Sequence, residues 1–359
     1  MTKIQSRRLG FEAQERRLCL AVDVAVEDGV LSVTGEADGA VEIVATDAGT
    51  FEVRDAGALI DTATEVEDIK VRLDDTETNA DHTLSIDLGG QSVRRLFVDL
   101  DDGNNTITLS GGRVDQFFAY LGGDGNDAVT IAADAVVERG ASIRLGDGDN
   151  TLAVAGTLGR ELLVHGGDDA DTVTVDEGAV LERGMIAKLG NGSNATTIAG
   201  QVDRSVAVFG GVDDDTLDIL ATAAVERSVT ANLGGGDNSL SLAGTIEGSL
   251  SYDGRGGNDT VTLEESAVVE RNVDIKLGDG DNGVSHQGAI GGNLRVVSAN
   301  EDDVVDISDR EDAVGGRTRI DLGGQHEGHG RFGPHGHGPF GFHLGAALGR
   351  AFGFGRWRR

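Results

Sequence analysis

The 359-residue sequence has little of several features that define common protein classes. It contains one cysteine, two prolines and only 4% aromatic residues. The single thiol, Cys19, excludes an internal disulfide framework and a cysteine-rich zinc site. No apolar run approaches the roughly 18 residues of a membrane-spanning helix, so no integral membrane span is predicted. The class of protein must therefore be inferred from the residues that are abundant.

Positive charge is scarce compared with negative charge. Asp and Glu total 62 against 30 Lys and Arg, which gives a formal net charge of −32. Nucleic-acid binding needs a basic face that contacts phosphates, so no nucleic-acid partner is predicted. The excess of carboxylates instead favours cations as partners, because cations screen repulsion within the chain.

Glycine is the residue that stands out, with 56 copies. These glycines have no three-residue period, which excludes a collagen helix. A hydrophobic share of 38% is too high for a fully disordered chain. The composition therefore predicts an ordered chain in which turns are frequent.

The middle of the chain repeats with a fixed period. An Asn or Asp closes each glycine-rich turn, and the spacing between these anchor residues is 21 to 23 residues: Asn105, Asp127, Asn150, Asp171, Asn194, Asp215, Asn238, Asp259, Asn282 and Asp303. Apolar and polar residues alternate after each anchor and again about ten residues later, as in half-buried strands. The pattern predicts an all-β fold, a parallel β-solenoid of the β-helix or β-roll kind. Its two-strand rungs of about 22 residues alternate in a 44-residue unit.

Composition divides the chain into four segments. Residues 1–20 form a basic leader or sorting segment, 21–99 an irregular β section that caps the solenoid, and 100–324 the solenoid itself. The tail, 325–359, holds both prolines and five of the eight histidines, and it carries +4 while the rest of the chain carries −36. We expect this tail to be a flexible extension, whose partners are an anionic envelope polymer or another copy of the chain.

The glycine-rich turns resemble the calcium-binding nonapeptide of repeats-in-toxin (RTX) proteins. Residues 122–130 read GGDGNDAVT and match every position of G-G-x-G-x-D-x-U-x, where U is a large apolar residue. Variants recur in register in the following rungs. The resemblance implies that calcium ions are held between neighbouring turns. The candidate metal ligands are Gly122, Gly123, Asp124, Gly125, Asp127, Asp147, Asp149, Asn150, Asp168, Asp169, Asp171, Asp213, Asp215, Asp237, Asn238, Asp259, Asp279, Asp281 and Asn282.

The residue types in these turns suit calcium chemistry. Calcium takes about six to eight oxygen ligands from carboxylates and backbone carbonyls. Glycine allows a turn to adopt left-handed dihedrals that aim its carbonyls inward. The rung is longer than the usual coil of the resembled family, and its second edge lacks the motif. An alternating Asp/Asn column is therefore also consistent with a hydrogen-bonded ladder that needs no metal.

The second edge carries an apolar residue followed by Glu-Arg at 44-residue intervals. The apolar residues are Val137, Leu181, Val225 and Val269. We expect the charged residues of this edge to form solvated rows of ion pairs that contribute little to stability.

The N-terminus has a resemblance of its own. Residues 9–18, LGFEAQERRL, are similar to a short leader signature of large secreted repeat proteins of bacteria. The similarity implies a protein that is secreted and acts extracellularly or at the cell surface.

Three functions are consistent with the sequence. The leading one is a non-enzymatic, calcium-binding β-solenoid with a structural or adhesive role at the cell surface. The second is a metal-free solenoid whose tail binds a partner or a transition metal through His326, His329, His335 and His337. The third, a polysaccharide-acting β-helix enzyme, is disfavoured because the repeats carry no catalytic constellation of Ser, His and Asp or of His and Glu. No enzyme activity is therefore predicted.

Overall fold

A computed structural model describes residues 22–47, 49–73, 80–307 and 313–323 of the chain. The chain divides into two units, Met1–Gly324 and Gln325–Arg359, and all the described residues belong to the first. The leader, residues 1–20, and the tail, 325–359, lie outside the described residues. Among the residues described, no helix is long and apolar enough to cross a membrane.

The predicted all-β parallel solenoid is confirmed. Strands β1 to β8 are Asp23–Glu27, Val30–Gly35, Val41–Asp47, Thr50–Asp55, Ala58–Thr64, Asp68–Leu73, Thr83–Asp99 and Thr106–Leu121. Strands β9 to β20 are Ala128–Ile131, Ala135–Val137, Ala141–Gly146, Thr151–Val154, Thr157–Leu158, Leu162–Gly166, Thr172–Val175, Val180–Leu181, Met185–Lys188, Ala195–Ile198, Gln201–Val202 and Val206–Phe209. Strands β21 to β34 are Thr216–Ile219, Ala224–Val225, Val229–Asn232, Ser239–Leu242, Thr245–Ile246, Leu250–Asp253, Thr260–Leu263, Val268–Val269, Val273–Gly278, Gly283–His286, Ala289–Ile290, Leu294–Ser298, Val304–Ile307 and Thr318–Leu322.

From β9 onward the strands recur in sets of three, and each set is one rung. The first face stacks β9, β12, β15, β18, β21, β24, β27, β30 and β33 in parallel. The third face stacks β11, β14, β17, β20, β23, β26, β29, β32 and β34 in the same way. These two faces are the two predicted strands of each rung.

A third stack of strands lies between them and was not predicted. This short face consists of β10, β13, β16, β19, β22, β25, β28 and β31, with two or three residues per strand. It precedes the Glu-Arg turns directly, and the buried last residues of four of its strands are Val137, Leu181, Val225 and Val269. Strands this short lack the alternation that identifies a strand in a sequence.

The turns between faces define two edges. The glycine edge joins the third face of one rung to the first face of the next, as in residues 122–127. The charged corner joins the short face to the third face and contains Glu138-Arg139 and its equivalents.

Each rung buries its apolar residues in a single continuous core. In one rung the buried side chains are Val129, Ile131, Ala135, Val137, Ala141, Ile143 and Leu145, none more than 1% exposed. Each such valine, leucine or isoleucine stabilises the fold by about 1.5–3 kcal/mol relative to exposure. Because neighbouring rungs cover each other, this core depends on stacking, and the register that stacking sets also aligns the turns.

The N-terminal part is less regular, and its antiparallel strands lie at one end. Strand β1 pairs antiparallel with β2, and β4 pairs antiparallel with both β3 and β5. Strands β2, β6 and the end of β7 continue the third face in parallel. Strand β7 already passes along all three faces, so regular rungs begin before residue 99.

Candidate functional site

The anchor residues of the glycine edge form one buried column. Every anchor from Asn105 to Asp303 is at most 7% exposed. The backbone N–H of Asp171 donates to Asn194 Oδ1 at 2.9 Å, and that of Asn194 donates to Asp215 Oδ1 at 2.9 Å. The same bond recurs at most steps of the column. Each anchor side chain thus satisfies a backbone donor of the preceding rung, which buried polar groups require.

The asparagine anchors have a second role. The Nδ2 of Asn150 donates to the carbonyl of Gly148 in its own turn at 2.8 Å, and to Asp171 Oδ1 of the next rung at 2.9 Å. The corresponding amides of Asn194 and Asn238 donate to Asp215 and Asp259 at 2.9 and 3.1 Å. Asparagine supplies both a donor and an acceptor, whereas an ionised aspartate only accepts. The alternation therefore pairs each aspartate with an amide donor.

In four of the aspartate anchors, Asp127, Asp171, Asp215 and Asp259, the second oxygen faces a glycine at the start of the same turn. A Cβ on Gly166 would lie 1.7 Å from Asp171 Oδ2 and 2.4 Å from the carbonyl oxygen of Leu189. Gly122, Gly210 and Gly254 stand in the same relation to their aspartates. The glycine at this position is required because the carboxylate occupies the space of a side chain.

The partners of this second oxygen differ from rung to rung. Asp127 Oδ2 accepts a hydrogen bond of 2.7 Å from the hydroxyl of Tyr120, and Asp215 Oδ2 accepts one of 3.2 Å from the Gly211 N–H. Asp171 and Asp259 have only weak contacts of this kind, with the Gly167 N–H and the Tyr252 hydroxyl. Neither Oδ2 accepts a hydrogen bond of good geometry within the described structure. A buried carboxylate oxygen without a well-formed hydrogen bond is costly, so these two positions are suited to a proton or a cation.

Burial raises the pKa of all four aspartates above the ordinary value of 3.8. The pKa of Asp127, Asp171 and Asp259 is raised to about 6, and that of Asp215 is also raised. Desolvation is the main cause. Hydrogen bonds from the preceding Asn partly offset it, together with the hydroxyl of Tyr120 at Asp127 and that of Tyr252 at Asp259. The buried column therefore takes up protons as the pH falls from 7 towards 5.

A second ladder runs along the outside of the glycine edge, one residue before the anchors. Asn126 Oδ1 accepts from the Asp149 N–H at 2.8 Å, and Asp149 Oδ1 accepts from the Ala170 N–H at 3.0 Å. These side chains accept from the following rung, whereas the anchors accept from the preceding rung. The two ladders thus tie each turn to both neighbours.

The structure places the predicted ligands in two groups on this edge. Asp127, Asp171, Asp215, Asp259, Asn150, Asn238 and Asn282 are buried anchors. Gly122, Gly123 and Gly125 belong to the backbone of the first matching turn, and the exposed carboxylates are Asp124, Asp147, Asp149, Asp168, Asp169, Asp213, Asp237, Asp279 and Asp281. Within the described ranges, no three side chains of His, Cys, Asp or Glu are close enough to hold a metal by themselves. Backbone carbonyls would have to complete any calcium site.

Several contributors to the edge were not among the predicted ligands. They are the anchors Asn105, Asn194 and Asp303, the outer-ladder residues Asn126, Asp214 and Asn258, and the hydroxyl of Tyr120. The anchor spacing carries the signal for most of them. The sequence signal for the Tyr120 contact is that both tyrosines, Tyr120 and Tyr252, stand seven residues before an aspartate anchor.

The charged corner differs from the predicted rows of ion pairs. Arg113 pairs with Glu138 at 2.6 Å, but among the residues described Arg139, Arg183, Arg227 and Arg271 form no ion pair. Exposed pairs gain little and cost side-chain entropy, so these arginines remain solvated.

Comparison with known proteins gives one distant likeness. No protein-family model and no curated protein matches the chain. Among solved structures, it is similar to a hyperactive, Ca²⁺-dependent, β-helical antifreeze protein from an Antarctic bacterium. The identity is 19%, the match covers 70% of this chain and 80% of that one, and the TM-score is 0.42. Membership of the RTX family stays a prediction, and the solenoid assignment rests on the strand register of this chain.

Proposed function

We propose that the chain is a non-enzymatic structural solenoid, which acts outside the cell or at its surface and binds calcium along the glycine edge. One observation carries the proposal. Asp171 Oδ2 and Asp259 Oδ2 are buried without a hydrogen bond of good geometry in the described structure, beneath an edge whose outer positions carry further carboxylates.

These oxygens need a positive partner at neutral pH. Asp171 Oδ2 shares the space beside Gly166 with the carbonyl oxygen of Leu189, and the Gly167 N–H makes only a weak contact with this carboxylate. A pKa of about 6 means that the proton is largely lost at pH 8. Calcium accepts irregular cages of carboxylate and carbonyl oxygens, whereas magnesium demands a small octahedron. The buried aspartates and the outer carboxylates, together with turn carbonyls, are the groups that would hold calcium.

The proposed location follows from the strength of such sites. Sites built from few carboxylates bind weakly, with dissociation constants of about 10⁻⁴ to 10⁻³ M in extracellular modules. Extracellular calcium fills sites of this strength, whereas cytosolic calcium leaves them empty. The leader similarity supports secretion, although those residues lie outside the described part of the chain.

A second candidate is a solenoid that needs no metal. It is favoured by the hydrogen bonds of the anchor ladder, in which every Oδ1 from Asn194 to Asp303 accepts a backbone N–H at 2.8–3.0 Å. In that case protons alone relieve the unpartnered oxygens.

Thermal unfolding at pH 8 in chelator, in calcium and in magnesium, at equal ionic strength, separates the two candidates. We expect calcium to raise the melting temperature more than magnesium does, because a ligand of the folded state stabilises it by RT ln(1 + [L]/Kd) per site. Replacing Asp147, Asp149 and Asp168 by Asn keeps their accepting oxygens but removes three charges around Asp171. It should reduce the calcium effect clearly, while the turns near Asp259 retain their part of it.

The matched control replaces Glu138, Glu182 and Glu226 by Gln at the charged corner. It removes the same charge and should leave the calcium effect intact. Identical melting in all three solutions would overturn calcium binding and leave the metal-free ladder. An equal loss of the calcium effect in both variants would mean general charge screening instead of defined sites.

A further inference from the structure

A groove lined by Phe97 and Phe117 lies on the third face, away from the glycine edge. Strands β2, β6, β7 and β8 are neighbours there, and their register aligns Val30 with Asp68, Arg95 and Phe117. Two residues further along, Lys70 aligns with Phe97 and Ala119. Together these side chains line a groove of about 490 Å³, within the range of small-molecule sites.

A register shift between β7 and β8 places Phe117 at the groove. Val93 aligns with Val114, but Arg95 aligns with Phe117, so β8 contains one more residue than β7 over this stretch. Phe118 is fully buried in the core, and Phe117 is left 42% exposed at the groove. Exposed large aromatic side chains on a concave surface favour an apolar ligand.

The charges around the groove leave one cation without a carboxylate partner among the described residues. Asp68 is bound by both Arg94 and Arg95, which hold the pKa of its carboxyl well below the usual range. Lys70 Nζ lies 5.9 Å from the centroid of the Phe97 ring. Lys70 forms no ion pair within the described residues, so its ammonium group is available beside an apolar surface.

We propose that this groove binds a small amphipathic anion, an aromatic or alkyl group that carries one carboxylate or sulfonate. The apolar part packs on Phe97 and Phe117, and the anionic group pairs with Lys70. A single available cation matches a single negative charge. A polyanion is disfavoured, because the chain carries −32 overall and would repel it.

Isothermal titration calorimetry of the full chain with naphthoate tests the proposal. Naphthalenemethanol and naphthylmethylammonium serve as neutral and cationic probes with the same ring system. We expect naphthoate to bind with a stoichiometry of one, more tightly than the alcohol, and the ammonium compound not to bind.

Substitutions locate the binding site. Lys70→Gln should weaken naphthoate binding about tenfold, as expected for loss of a charge-assisted contact, and Lys70→Arg should retain it. Phe117→Ala should abolish binding. Lys276→Gln and Ile186→Ala change an exposed cation and an exposed apolar residue elsewhere on the same face, and both should leave the affinity unchanged. Circular dichroism of each variant checks that the fold is retained, which the exposure of Lys70 and Phe117 favours.

Three outcomes would overturn the proposal. The first is an absence of naphthoate binding to the wild-type chain. The second is equal affinity for all three probes, or an equal loss in the control variants, since either result means indiscriminate apolar binding. The third is concentration-dependent self-association that Phe117→Ala removes and naphthoate does not affect, because the groove would then be a contact between copies.

Discussion

Asp171 shows how a single buried carboxylate couples the fold to pH. Its folded pKa of about 6 exceeds the ordinary value of 3.8, so the folded state binds a proton that the unfolded state does not between these values. Its contribution to the free energy of unfolding is therefore largest below pH 4 and is lost as the pH rises through 6.

Asp171→Asn should remove this dependence. The amide carries no charge, and its N–H₂ group can face the Leu189 carbonyl beside Gly166. In the presence of chelator, we expect the free energy of unfolding to rise by about 1 kcal/mol at pH 8, the lower range for relieving an unsatisfied buried group, and to change little at pH 5. Urea unfolding at both pH values measures this. Asp279→Asn, an exposed residue of the same edge, is the control, and an equal gain there would contradict the explanation.

His286 affects stability in the opposite direction. It is 1% exposed in β30, where its neighbours in the same column are Leu263 and Ile307, and neither ring nitrogen has a partner in the described structure. Burial lowers its pKa, and a weak backbone contact with Gly288 offsets this only in part. Below about pH 6.5 the unfolded chain therefore takes up a proton more readily than the folded chain does.

His286→Leu should therefore stabilise the chain at every pH, by about 1–3 kcal/mol at pH 8 and by more at pH 5. Denaturant unfolding at the two pH values measures the effect, with the outward neighbour Ser285→Ala as a control that should show no pH dependence. A gain that shrinks at pH 5 would show that His286 is already protonated in the folded state.

At the scale of the strand and turn, the aspartate carboxylate and the glycine that opens its turn depend on each other, because the carboxylate fills the space where a side chain would lie. Gly166→Ala places a Cβ 1.7 Å from Asp171 Oδ2, and we expect destabilisation of at least about 1–3 kcal/mol, as for overpacking. Gly256→Ala is the matched control, because nothing lies within 4 Å of a Cβ there. Thermal unfolding compares the two variants.

The double variant Gly166→Ala with Asp171→Ala tests whether the carboxylate causes the clash. It should lose less stability than the sum of the losses in the two single variants. Additive losses would mean that the carboxylate is not what excludes a side chain.

The longer strands and the anchors could be predicted from the sequence, whereas the short face and the ladder directions could not. Strands of four or more residues were predictable because Val129 and Ile131, and their counterparts, alternate with polar residues. The anchors were predictable as a column because their spacing is fixed. The short face was missed because a strand such as Val180–Leu181 is too short to show a period. The directions of the two ladders were not predictable. Asn126 accepts from the next rung and Asn150 from the previous one, and the turn dihedrals determine which of the two occurs.

For the whole molecule, the net charge of −32 opposes folding through self-repulsion. The melting temperature should therefore rise by several degrees between about 0.01 and 0.5 M NaCl, as the Debye length falls from about 30 Å to under 8 Å. Scanning calorimetry without divalent ions measures this rise. Replacing Asp147, Asp149 and Asp168 by Asn should reduce it more than replacing Glu138, Glu182 and Glu226 by Gln, because the corner carboxylates alternate with arginines. A melting temperature independent of salt would contradict the role of self-repulsion.

The alternating anchor column also sets how the solenoid can change length. Deleting 172–215 removes two rungs and leaves Asp171 below Asn238, so every carboxylate still has its amide donor. Deleting 172–194 removes one rung and places Asp171 directly below Asp215, with two buried carboxylates one strand spacing apart, about 4.8 Å. The first chain should fold and the second should not at neutral pH. A change in length that keeps every buried aspartate paired with an amide therefore adds or removes an even number of rungs.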